Sequence, residues 1–191
     1  FRADGLVALA GSRQLFIDHT TTSPALARRI GAVIADRGAR FVDAPVSGAA
    51  AGAQAGTLSV FAGGEADAVA AASRVLKAYA ARITHLGPAG SGQAGKLANQ
   101  IAIAGTVRGL SEAVALGRAS GLDVRALLNA LGAGSARSDQ LTQHEAKLAD
   151  ARFAFAESFD WLRKDLALAL DEADVHAIDL MQTGLIRRLL D

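Results

Sequence analysis

The spacing of apolar and polar positions changes character along this chain, and each pattern predicts a different element. After a short helical turn from Gly5, Leu15-Phe16-Ile17-Asp18 is an apolar run closed by an acidic residue and a threonine cluster. That is the pattern of a buried parallel strand meeting a loop at its carboxyl end. Ser23-Pro24 then predicts a helix start, serine as the cap and proline in the first turn, continued by Ala27, Ile30, Val33 and Ile34 toward Gly38. Strands are predicted over residues 40–45, 57–62 and 82–86, with a helix over 65–78. Alternating strand and helix imply a layered α/β part with ligand loops at the carboxyl ends of its strands. After Gly92 the period becomes helical throughout: Leu97, Ile101, Ala104, Val107, Leu110, Val114 and Leu116 keep it for about 25 residues, to Gly121. Asp123 can cap a helix through Leu131, Gly132-Ala133-Gly134-Ser135 reads as a loop, and helices are predicted near 137–150, 158–175 and 178–190. The expected division is an α/β part, residues 1–90, and an all-helical part, residues 91–191. Phe159 and Trp161 read as core residues.

Composition narrows the function classes. A chain of 191 residues that is 51% hydrophobic can bury a substantial core. With 20 basic and 19 acidic residues, no sustained field draws it to nucleic acid or to a membrane surface. The absence of cysteine removes disulfides, thiolate metal sites and a cysteine nucleophile, and the histidines at 19, 85, 144 and 176 lack paired metal spacing. No apolar run reaches the roughly 20 residues of a membrane span, and the start of the chain lacks a signal-peptide pattern. The expectation is a soluble cytoplasmic protein without a metal, whose partner is a small molecule.

Candidate chemistry gathers in residues 87–100. Gly87, Gly90 and Gly92 make a turn that runs into a helix, on which Lys96 and Asn99 share one face. A lysine and an amide three residues apart can meet one substrate oxygen as proton donor and hydrogen-bonding partner. The same spacing also suits a solvated helix surface.

The segment resembles the catalytic signature of the β-hydroxyacid dehydrogenases, the family of 3-hydroxyisobutyrate dehydrogenase and tartronate semialdehyde reductase. Its G-x-x-G-x-G-x-x-x-K-x-x-N pattern is matched at every fixed position. Asp43-Ala44-Pro45-Val46-Ser47-Gly48, running on to Gly52-Ala53 and Gly56-Thr57, is similar to the family's substrate loop, with Ala49 in place of the second glycine of a pair. Asp18-His19-Thr20-Thr21-Thr22-Ser23-Pro24 resembles the loop at the nicotinamide end of the cofactor, and Lys164-Asp165-Leu166 the K-D-L of a late helix. The likeness runs from about Gly5 to about Ala173.

The resemblance implies oxidation and reduction between a small 3-hydroxy acid and its semialdehyde, of the 3-hydroxyisobutyrate or tartronate semialdehyde/glycerate type, with NAD or NADP. Lys96 becomes the general acid and base, with Asn99 positioning it and the substrate oxygen. Ser47, Gly48 and Ala49 become the carboxylate holders, and Thr20, Thr21, Lys164 and Asp165 the cofactor contacts. Gln100 after Asn99 is closer to the tartronate semialdehyde reductase branch than to the Asn-Asn of 3-hydroxyisobutyrate dehydrogenases. A homo-oligomer, dimer or tetramer, is implied through the helical part. The fold expected is the C-terminal part of a Rossmann-like dinucleotide-binding domain, then a long connecting helix and an all-helical domain. Two other readings are a dehydrogenase-like binding or dimerisation protein without chemistry and an imine reductase; the lysine at 96 weighs against both.

No G-x-G-x-x-G turn follows a first strand to hold the cofactor pyrophosphate, and the glycine turn at Gly87, Gly90 and Gly92 is not a substitute, because the resemblance assigns it to the catalytic turn. The 191-residue chain by itself is therefore expected to bind dinucleotides weakly. Titration calorimetry with NAD and NADP should detect no strong binding, and micromolar affinity for either would show that another segment supplies the phosphate site.

Overall fold

The computed structural model describes residues 5–150 and 160–191. The chain divides into two compact units, Phe1–Ala98 and Asn99–Asp191.

The first unit is built on a five-stranded mixed sheet. β1 (Leu15–Asp18) lies parallel to β2 (Arg40–Asp43), with Asp18 opposite Asp43. Helix α1 (Pro24–Ala35) makes the crossover between them and starts where its cap signal predicts: the Ser23 hydroxyl accepts the Leu26 N–H at 3.1 Å. β2 leads into β3 (Val46–Ser47), and both run antiparallel to β4 (Leu58–Gly63), setting Asp43 opposite Gly63 and Ser47 opposite Ser59. The link from β3 to β4 holds a short helix, α2 (Ala49–Ala55), where the sequence suggested an open loop. Its run of alanines, the best helix formers, outweighs the loop signal of the flanking glycines. Helix α3 (Ala66–Leu76) then returns the chain to β5 (Ala80–Gly87), parallel to β4. Val42, Ala44, Val60, Ala62, Ala68, Ala72 and Leu76 form the core between sheet and α3. β1 is only half-buried along its length, not fully buried as expected, because it ends the strand order.

Helix α4 runs unbroken from Ser91 to Ala119. The remaining helices of the second unit are α5 (Val124–Ala133), α6 (Asp139–Ala149), α7 (Asp160–Val175) and α8 (Met181–Leu189). Asp123 caps α5 as predicted, accepting the Arg125 and Ala126 N–H groups, but the helix continues to Ala133 and takes in Gly132. One core joins Leu110, Val114, Leu128, Leu141 and Leu148; another joins Ala104, Leu162, Leu166 and Ile186. Trp161 is 49% exposed, contrary to the expectation of a core role. The buried stripe of α7 is Leu162, Asp165, Leu166, Ala169 and Ala173, and position 161 falls off that face. Phe159 and the predicted helix start at 158 lie outside the described residues. Among the described residues no helix is long and apolar enough to cross a membrane.

Candidate active site

The turn before α4 is held by a carboxylate. Asp43, at the end of β2 and without solvent exposure, accepts the Gly90 N–H at 2.8 Å on one oxygen and the Gln93 N–H at 2.9 Å on the other. Burial pushes the Asp43 carboxyl above its ordinary range, against backbone donors that pull it down. A negative group here also faces the positive end of the α4 dipole. The sequence explains the close approach. A Cβ at position 92 would stand 2.5 Å from the carbonyl oxygens of Asp43 and Phe61, so only glycine brings the helix this near the sheet.

Lys96 follows on the first turns of α4 and is 8% exposed, well below what a surface lysine shows. Asn99 is half-buried one turn later, and its amide donates to the Gln100 side chain at 3.1 Å. Gln100, 1% exposed, in turn donates to Asp165 Oδ2 at 2.9 Å. Asp165 is buried on α7, with its other oxygen 3.1 Å from the half-exposed Lys164 ammonium. The residue that separates this signature from an Asn-Asn pair therefore has a structural partner in the late-helix motif.

The other predicted site residues stand on loops of the first unit. Thr20 and Thr21 follow β1, exposed and half-buried respectively, and the Thr20 N–H donates to Asp18 at 2.9 Å. These hydroxyls stand at the carboxyl end of a strand, where ligands of open α/β sheets bind. His19 was singled out only as part of its motif. Its Nδ1 donates to the Ala44 carbonyl at 2.6 Å, and its Nε2 lies 2.8 Å from the Tyr79 hydroxyl. Ser47 ends β3, half-buried, while Gly48 and Ala49 are exposed and open α2. Sequence reasoning passed over Asp43 and Gln93 as functional positions. The signal available was that both polar residues fall inside the two longest matched motifs.

Residues 1–87 match the NAD-binding domain of 6-phosphogluconate dehydrogenase, and residues 90–191 match the NAD-binding domain of NADP-dependent 3-hydroxyisobutyrate dehydrogenase. An uncharacterized oxidoreductase of Shewanella frigidimarina is 39% identical over 88% of this chain and 58% of its own length. The 3-hydroxyisobutyrate dehydrogenase of Pseudomonas aeruginosa is 36% identical over 89% of this chain and 59% of its own. Among solved structures, Mycobacterium tuberculosis 3-hydroxyisobutyrate dehydrogenase with L-serine superposes with a TM-score of 0.86 at 29% identity, covering 96% of this chain and 66% of that one. The chain belongs to the β-hydroxyacid dehydrogenase family, combining a Rossmann-like part with a helical one. It spans 58% and 59% of the length of the two curated relatives.

The one departure from the family's substrate-loop pattern has a backbone consequence. Ala49, standing where the pattern has glycine, has φ of 52°, in the left-handed region that glycine enters freely. Relief of about 1–2 kcal/mol of strain, less about 0.4–1 kcal/mol for the freer unfolded chain, leaves a net gain for Ala49→Gly of up to about 1.5 kcal/mol. Urea unfolding should show a higher midpoint for the variant at an unchanged slope.

Proposed function

We propose that the intact protein is an NAD- or NADP-dependent dehydrogenase interconverting a small 3-hydroxy acid and its semialdehyde, with Lys96 as general base and acid. The observation that carries this reading is the near-complete burial of Lys96 just after a turn held by a buried carboxylate, on the helix that carries Asn99. L-serine is itself a 3-hydroxy acid, and its presence in the mycobacterial relative supports the substrate class.

In the oxidative direction, the Lys96 amine takes the hydroxyl proton as the carbonyl forms; in reduction its ammonium returns a proton to the developing alkoxide. The bound nicotinamide supplies the hydride acceptor or donor. Asn99 hydrogen-bonds the same substrate oxygen and keeps it before the lysine. Ser47 and the backbone N–H groups of Gly48 and Ala49 receive the substrate carboxylate, and one such set has room for one carboxylate. Thr20 and Thr21 face the nicotinamide ribose. Lys164 is a cofactor contact, while Asp165, expected as a second one, is 2% exposed and engaged by Gln100 and Lys164, so in this reading it holds that lysine in place. Homo-oligomerisation through the helical unit belongs to the same reading.

The test is a substrate panel on the full-length protein, comprising 3-hydroxyisobutyrate, serine, glycerate, tartronate semialdehyde, succinic semialdehyde and longer aldehydes. A C3 or C4 acid should be preferred; preference for a large uncharged carbonyl or an imine would overturn the reading. On the preferred substrate, Lys96→Met should lower kcat by about a hundred- to ten-thousand-fold. Cofactor affinity should stay nearly unchanged, because the lost interaction matters only in the transition state. A variant retaining more than about a tenth of kcat at every pH lacks the expected general-acid factor, which removes Lys96 from the role.

A further inference from the structure

Gln93 makes more structural connections than its place in the signature, one of the unspecified positions, requires. It is fully buried. Its Oε1 accepts the Thr22 N–H at 3.0 Å, and its Nε2 donates to the Thr20 carbonyl at 2.8 Å. Its own backbone N–H donates to Asp43 at 2.9 Å. One residue thus ties together three segments distant in sequence: the loop after β1, the strand leading to Ser47, and the first turn of α4.

We propose that Gln93 is a positioning residue, a lock that sets the Thr20–Thr22 backbone against the helix turn carrying Lys96. The inference rests on the dehydrogenase reading above. Residue types explain why an amide stands here. The loop offers one donor and one acceptor, and a neutral amide is the side chain of this length that answers both. A glutamate would accept from Thr22 but repel the Thr20 carbonyl, and a lysine would donate and leave the Thr22 N–H unmet. Gln93 and Lys96 are three positions apart, so the two project from one helical face on successive turns. A shift of the Thr20–Thr22 loop is then a shift of the cofactor-facing hydroxyls relative to the proton-transfer group. Misplacement by about 1 Å can cost roughly a hundred-fold in rate. Asp43 holds the same turn by its backbone, so Gln93 sets the loop while Asp43 sets the helix start.

Gln93→Met in the full-length protein keeps side-chain length and helix propensity while removing both amide bonds. Two readouts are needed. Amide hydrogen exchange should show Thr22 exchanging at least tenfold faster, with β1 and β2 amides unchanged. Steady-state kinetics should show kcat lowered tenfold or more, with KM for the hydroxy acid within threefold of wild type. If the Met variant does not fold, Gln93→Ala, whose vacated space admits water to the Thr20 and Thr22 groups, should give the same two results. An unchanged Thr22 exchange rate overturns the lock. Faster exchange with kcat within twofold overturns the positioning role, as does a loss of kcat explained by a matching loss of folded protein. Wild-type protein inactive on every acid of the panel counts against the dehydrogenase reading, an outcome separate from these.

Discussion

A buried carboxylate is costly unless its oxygens are satisfied, and Asp43 meets that condition with the backbone of the turn it secures. The rest of the first unit is arranged around this. Glycine at 92 is required by the closeness of the helix start, and glycine at 63 by the same crowding, since a Cβ there would stand 2.6 Å from Asp43 Oδ1. The first turn of α4 can then sit over the end of β2 with its free N–H groups aimed at an anion, a use of the helix terminus that satisfies several donors at once. Lys96 inherits its place from that seating.

Each unit also holds its own stretch of α4 by a buried glutamine. Gln93 reaches into the loop after β1, and Gln100 reaches Asp165 on α7. Both are almost without exposure. Buried amides paired on both faces specify one arrangement more sharply than apolar packing does, since any slip leaves a donor or acceptor unmet. Lys96 and Asn99, the pair with proposed chemistry, lie in the helical turns bracketed by these two anchors.

Much of this fold was readable from local signals with a physical mechanism. Ser23-Pro24 and Asp123 marked helix starts, and the caps form as hydrogen bonds; the apolar run at Leu15–Asp18 became a strand. The stripe from Leu97 onward became part of a single 29-residue helix. What failed was decided by context. Residues 49 to 55, five of the seven alanine, form a helix inside a motif read as a loop, because helix propensity and glycine punctuation compete there. Trp161 lies on the open side of α7, since exposure depends on which face a helix buries and a single aromatic does not determine that. Of the candidate site, the motifs exposed Lys96, Asn99 and Ser47. They did not expose Gln93, whose importance lies in long-range bonds to main-chain atoms of residues some seventy positions away, which leave no periodicity in the sequence.

Those bonds go to the carbonyl of Thr20 and the N–H of Thr22, and to neither side chain. The loop is thus gripped by atoms that every residue except proline possesses. The two bonds from Gln93 do not depend on which side chains stand at residues 20 to 22, provided position 22 keeps its N–H. In evolutionary terms, the side chains of this loop can drift while these two main-chain bonds keep its place on the scaffold.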